Sequence, residues 1–215
     1  MIILIIIFIF TIFFINFFFN SNYQNKKYNK ILFLDIDDTI LRSDNMFIYF
    51  KENISSNKEI KLSSNDYKLI SNKYDKSHFD FRDFDNPYLI RESILNSKPL
   101  TNNFNYIREH INNGWDLGIL TARGEEEEIK KVISKWLKIN LGMSFNLEDK
   151  NIYAVGDKHI KYQGKDFSIK KLNILINYWL NTKYDRIKLM DDNEETIRII
   201  DSYLPYKFEY YLVRN

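Results

Sequence analysis

Residues 30–41 read KILFLDIDDTIL, and the rest of the chain is best understood outward from them. An apolar run at 31–34 stops abruptly at three carboxylates, Asp35, Asp37 and Asp38. Like charges this close repel, and each is costly to place at the end of a buried strand. Two explanations compete. The segment is a plain strand entering a solvated turn, or its carboxylates share a cation and do chemistry.

The pattern downstream alternates. Further short apolar runs lie at 117–120 (LGIL), 152–155 (IYAV), 187–190 (IKLM) and 210–213 (YYLV). Between them the apolar residues recur with helical spacing. Phe104, Ile107 and Ile111 share one face of a helix over 101–113, which Asn113-Gly114 ends. Ile129, Val132, Ile133, Trp136 and Leu137 do the same over 125–141, and Leu172, Leu175, Ile176 and Trp179 over 169–181. A last helix carries Ile197, Ile200 and Leu204 and stops at Pro205. Strand alternating with helix predicts parallel strands joined by crossover helices. The expected fold is therefore α/β, a doubly wound, mostly parallel, five-stranded Rossmann-like sheet.

Composition narrows the function classes. A chain of 215 residues, 45% hydrophobic, is long enough for one domain with an insertion. A formal net charge of +2 gives no support for broad binding to nucleic acid. The absence of cysteine excludes disulfide scaffolds, thiolate metal sites and cysteine nucleophiles. His78, His110 and His159 are scattered without ligand spacing. The GEEEE run at 124–128 reads as the first turn of a helix, where anions complement the dipole.

Open α/β sheets bind ligands beyond the carboxyl ends of their strands. Asp35, Asp37, Asp38 and Thr39 follow the first run, Thr121, Ala122 and Arg123 the second, and Asp191, Asp192 and Asn193 the fourth. Carboxylates from two strands suit Mg²⁺, a hard ion that takes a few oxygen ligands and keeps several waters. A hydroxyl and backbone amides at a third strand end suit a phosphate oxygen. Arg123, directly after that hydroxyl, is placed to reach a substrate.

These segments resemble the motifs of the haloacid dehalogenase-like phosphatases. DIDDT at 35–39 is similar to their DxDx[TV] signature, ILTAR at 119–123 to their second motif, and IKLMDDN at 187–193 to their fourth. The resemblance covers roughly residues 30–213. It implies that Asp35 attacks phosphorus and that Asp37 protonates the leaving group and then activates water. It further implies that Thr121 holds the transferring phosphoryl, with Ala122 and Arg123 beside it. Mg²⁺ would be bound by Asp35, Asp37 (through its carbonyl) and Asp191, with Asp192 adjacent. A phosphate-binding lysine is expected near the start of the helix before the fourth strand. Lys165, Lys170 and Lys171 compete, with Lys158 more distant. Spacing to Ile174 and Leu175 favours Lys171, then Lys170.

Physical chemistry agrees with these roles. A carboxylate attacks a phosphate dianion poorly because the two repel, and a bridging cation removes much of that cost. A covalent aspartyl phosphate divides one hard displacement into two easier ones. Asp37 points to the same side as Asp35 if the backbone is extended. The function expected is a Mg²⁺-dependent phosphomonoesterase acting on a small phosphorylated metabolite or nucleotide. A nucleic-acid-end phosphatase or phosphotransferase on the same scaffold is the alternative, and a binding protein without turnover is the alternative of another class.

The remaining segments set organisation. Residues 30–42 and 100–215 make the catalytic core, and residues 43–99, longer than a simple crossover, read as a cap inserted after the first strand. Phe79, Phe81, Phe84 and Tyr88 in that cap are candidates for stacking on a base. Residues 2–19, IILIIIFIFTIFFINFFF, are apolar except for Thr11 and Asn16, near the length needed to cross a bilayer. Residues 1–20 are thus expected to be a membrane anchor and 21–29 a linker. Lys26, Lys27 and Lys30 would keep the domain cytosolic. A mis-assigned start site would make the protein soluble and cytoplasmic instead.

Overall fold

A computed structural model describes residues 29–42, 44–156, 166–182, 184–204 and 208–214. Strand β1 (Lys30–Leu34) leads into an insert containing β2 (Ile48–Phe50), β3 (Ile60–Leu62), helix α1 (Ser64–Ile70) and β4 (Phe79–Asp80). Then come α2 (Pro87–Asn96), α3 (Thr101–Asn112), β5 (Trp115–Thr121), α4 (Glu126–Leu141) and β6 (Leu147–Ala154). The chain closes with α5 (Phe167–Asn181), β7 (Arg186–Asp191), α6 (Glu194–Tyr203) and β8 (Phe208–Leu212). The main sheet has five strands in the order β6-β5-β1-β7-β8, every neighbouring pair parallel. β2, β3 and β4 form a separate antiparallel sheet in the order β3-β2-β4.

The expected doubly wound α/β fold is present, and β1 shows why its sequence is apolar without alternation. Successive side chains of a strand point to opposite faces. Leu32 and Leu34 enter one core with Ile90, Ile94, Phe104, Ile107, Ile133 and Leu137. Ile31 and Phe33 enter the other with Leu172, Leu175, Tyr178, Ile197 and Ile200. Both faces are covered by helices, so neither can be polar.

Three elements depart from their sequence-predicted bounds. β6 begins at Leu147, well ahead of the apolar run at 152–155: Leu147 pairs with Leu117 of β5, the register then shifts, and pairing resumes at Ile152 with Ile119, leaving exposed Asp149 and Lys150 in the irregular stretch between. β8 begins at Phe208, ahead of 210–213. It lies at the sheet edge, where Phe208 is buried while Tyr210 and Tyr211 face outward. In the segment assigned to the cap, α2 turns its Ile90 and Ile94 into the main core against α4. Its start is well marked: Asn86 accepts hydrogen bonds from the amides of Tyr88 (3.0 Å) and Leu89 (3.1 Å), and Pro87 opens the first turn.

The insert sheet has a small core of its own, Ile48, Phe50, Leu62 and Phe79, with Tyr67, Tyr74, Phe81 and Phe84 packed around it. Three of the four aromatic candidates for base stacking are thus engaged inside the insert. Tyr88, the fourth, is exposed on α2 beside Arg91. Among the described residues no helix is long and apolar enough to cross a membrane. The apolar run at 2–19 and the linker up to residue 28 lie outside the described residues.

Candidate active site

The carboxyl ends of β1, β5 and β7 bring the sequence-predicted residues together. Asp35 follows β1 directly, and its amide donates to the carbonyl of Met190 on β7 (2.9 Å). The chain then folds back tightly. The carbonyl of Ile36 accepts from the amides of Ile40 (3.1 Å) and Leu41 (3.2 Å), and Asp38 takes the left-handed conformation at φ 54°. Short polar residues such as Asp tolerate that region. Ile36, Ile40 and Leu41 are buried anchors of this turn, so its carboxylates are held at the sheet edge by apolar residues between them.

Lys171 is the central cation. Its Nζ lies 2.9 Å from Asp35 Oδ1 and 2.7 Å from Asp191 Oδ2, with all three residues buried. The helical spacing accounts for its choice over Lys170. Ser168, Lys171, Ile174 and Leu175 share the buried face of α5, which Asp166 caps through the amide of Ser168 (2.8 Å). Lys170, one position round the helix, donates instead to the carbonyl of Val155 (3.1 Å). Lys158 and Lys165, the other candidates, lie outside the described residues, as does His159.

Arg123 turns inward. Its Nε and Nη2 form a two-pronged pair with Asp37 (2.8 and 2.7 Å), while Nη1 donates to Ser93 Oγ (2.6 Å) on α2. The guanidinium is fully buried, with its donors engaged by Asp37, Ser93 and the carbonyl of Ile90. Thr121 is buried at the end of β5, and its Oγ1 accepts from the amide of Arg123 (3.3 Å). Ala122 is half-buried beside it.

Asp191 Oδ1 accepts from the amide of Asn193 (2.8 Å), and Asn193 in turn caps α6 through the amide of Thr196 (3.0 Å). Asp192 pairs with Lys68 of the insert (2.6 Å). Asp35, Asp191 and Asp192 each offer a carboxylate oxygen, and these atoms lie within 4.8 Å of one another. An all-oxygen set of that kind fits a hard divalent cation such as Mg²⁺. The Asp37 carboxylate does not join this set, because Arg123 holds it. Burial pushes the pKa of Asp35 well above the carboxylate range. Lys171 opposes this, while Asp191, Asp192 and Asp37 add to it. Burial also raises Asp192, against the pull of Lys68. A cation among them would relieve the strain of like charges.

A glycine fixes the approach of the neighbouring loop. The Gly156 amide donates to the carbonyl of Arg123 (3.0 Å). A Cβ at Gly156 would collide with the Ala122 carbonyl oxygen and lie 2.8 Å from the Arg123 carbonyl carbon. Both are backbone and cannot swing away. Gly156→Ala should therefore lower stability by about 1–3 kcal/mol, read as a fall in the denaturation midpoint. An unchanged midpoint would mean the loop relaxes freely.

Sequence reasoning missed Ser93 and Lys68. Ser93 had a signal, since Ile90, Ser93 and Ile94 lie three and four positions apart on one helical face. Lys68 had none, being one lysine in a polar insert.

No family model and no curated protein sequence matches the chain. Among solved structures, a chain of "Structure of Pnkp1/Rnl/Hen1 complex" matches with a TM-score of 0.47 at 12% identity. The match covers 88% of this chain and 47% of that one, so this chain spans about half the length of its counterpart.

Proposed function

We propose that the chain is a Mg²⁺-dependent phosphomonoesterase that works through an aspartyl phosphate, as its resemblance to the haloacid dehalogenase-like phosphatases implies. The observation that carries the reading is Lys171 bridging Asp35 and Asp191 at the sheet's carboxyl edge. That arrangement brings a cation from α5 onto the carboxylates of two strand ends, holding the proposed nucleophile beside the proposed metal ligand.

A carboxylate oxygen of Asp35 attacks phosphorus as the bond to the ester oxygen breaks. Asp37, which takes up a proton from solvent as the anionic substrate binds, gives that proton to the leaving oxygen. In the second step Asp37 takes a proton from water, the water oxygen attacks phosphorus, and the bond to Asp35 breaks to release inorganic phosphate. Arg123 fixes the direction of the Asp37 carboxylate, and the Thr121 hydroxyl would hold a phosphoryl oxygen. Lys171 keeps Asp35 aligned. Mg²⁺, held by Asp35, Asp191 and Asp192 with the carbonyl of Asp37, would supply the positive charge that lets two anions meet.

The test is a panel of phosphate esters offered to the purified full chain, with small metabolites, nucleotides and 3′- and 5′-phosphorylated oligonucleotides as its arms. Turnover should vanish on chelation and return with Mg²⁺, whereas Ca²⁺, which prefers more ligands at longer distances, should substitute poorly. Asp37→Asn should lose more activity toward esters with poor leaving groups than toward activated aryl phosphates. Equal losses would remove Asp37 from the acid role. Hydrolysis confined to oligonucleotide ends would move the substrate to nucleic acid, and phosphate binding without any turnover would leave a binding protein.

A further inference from the structure

Lys68 stands apart from the other two cations of the site. It sits on α1 of the insert, and its Nζ lies 2.6 Å from Asp192 Oδ2, a pairing of residues 124 apart in sequence. α1 is set firmly by a reciprocal cap. The amide of Asp66 donates to Ser63 Oγ (3.1 Å), and the Ser63 amide donates to Asp66 Oδ2 (3.1 Å). Tyr67 packs edge-on against Phe79 and Phe81 in the insert core. The next residue is turned about 100° round the helix and leaves that core toward the carboxylates.

Charge and exposure identify what this lysine is placed to meet. Asp35, Asp37, Asp191 and Asp192 crowd the strand ends, and an arriving phosphate is itself an anion. Lys171 and Arg123 are spent on the protein's own carboxylates, with side chains 4% and 0% exposed. The Lys68 side chain is 49% exposed. It is the cation of the three that a ligand from solvent can reach. Its partner, Asp192, belongs to the set of three carboxylates suited to a divalent cation. A cation drawing on Asp192 would compete with Lys68 for that carboxylate and free the ammonium beside the same site.

We infer that Lys68 is the insert's substrate-binding residue, taking an oxygen of the substrate's phosphoryl group in exchange for Asp192. This rests on the phosphatase reading above and extends it to a residue of the insert. The insert thereby closes on a site that holds both cation and phosphate. The Lys68–Asp192 pair ties the insert to the strand ends, Lys76–Asp166 (3.3 Å) ties it further out, and the Gly124 amide donates to the Phe84 carbonyl (2.9 Å) on its other side.

Inorganic phosphate, the product, is the probe. In the full chain with Mg²⁺, its inhibition constant and the KM for a small aryl phosphate should both rise about tenfold or more in Lys68→Met, the loss of one charge-assisted hydrogen bond. kcat should change less than about threefold, because the contact is made equally in ground and transition states. Lys68→Arg should recover most of the phosphate affinity. Lys76→Met, which removes an insert tie of the same type away from the strand ends, should leave both constants unchanged. Unaltered phosphate inhibition in Lys68→Met, or an equal rise in Lys76→Met, overturns the assignment while the wild type's turnover keeps the phosphatase reading standing. A wild type that hydrolyses no ester in the panel overturns both.

Discussion

Asp35→Asn should lower kcat at least a thousandfold, about 4 kcal/mol of added barrier. The amide keeps the shape of the side chain and an oxygen facing Lys171, 2.9 Å away in the native protein, but no longer offers an anionic nucleophile. Folding should survive the change. Lys171 keeps Asp191 as its partner at 2.7 Å, and one of several crowded carboxylate charges is removed. Steady-state kinetics on an aryl phosphate, alongside a melting curve, separates the two effects. Turnover near that of the wild type would rule out covalent attack by Asp35.

The second large effect is expected at Lys171, where activity and stability should fall together. Its ammonium group is buried between Asp35 and Asp191, and Lys171→Met leaves two carboxylates facing each other without compensation. Breaking a buried charge pair on one side costs about 3–5 kcal/mol. The metal-free variant should therefore unfold at distinctly lower denaturant. Mg²⁺ should then stabilise the variant more than the wild type, since a divalent cation can neutralise both carboxylates and no ammonium competes for them. kcat should drop by about a hundredfold or more with the electrostatic contribution lost. Equal Mg²⁺-induced shifts in the two proteins would show that Lys171 and the cation do not share ligands.

Arg123 shows how far inference from sequence can go for a side chain. Its position after Thr121 marked it as a residue of the strand-end cluster, and it is one. Whether it faced substrate or protein depended on Asp37 and Ser93, which lie 86 and 30 residues away in sequence. No local pattern encodes a partner at that distance. Lys171 is the opposite case. Spacing to Ile174 and Leu175 favoured it over its close rival Lys170, because the buried face of α5 is set by the residues three and four positions on.

The same division runs through the fold. Residues 30–41 marked an apolar strand ending in a turn of carboxylates, since a strand covered on both faces needs an unbroken apolar run and the turn's contacts are local. The alternation of such runs with helical spacing then implied the parallel sheet and put Asp35, Thr121 and Asp191 at one edge of it. The start of β6 at Leu147, ahead of exposed Asp149 and Lys150, was invisible, because it depends on a register shift against β5 that no local side-chain pattern encodes. The reach of Lys68 to Asp192 was equally hidden in a polar insert. Those features belong to tertiary structure, because each depends on which distant surfaces and charges the folded sheet brings within contact distance.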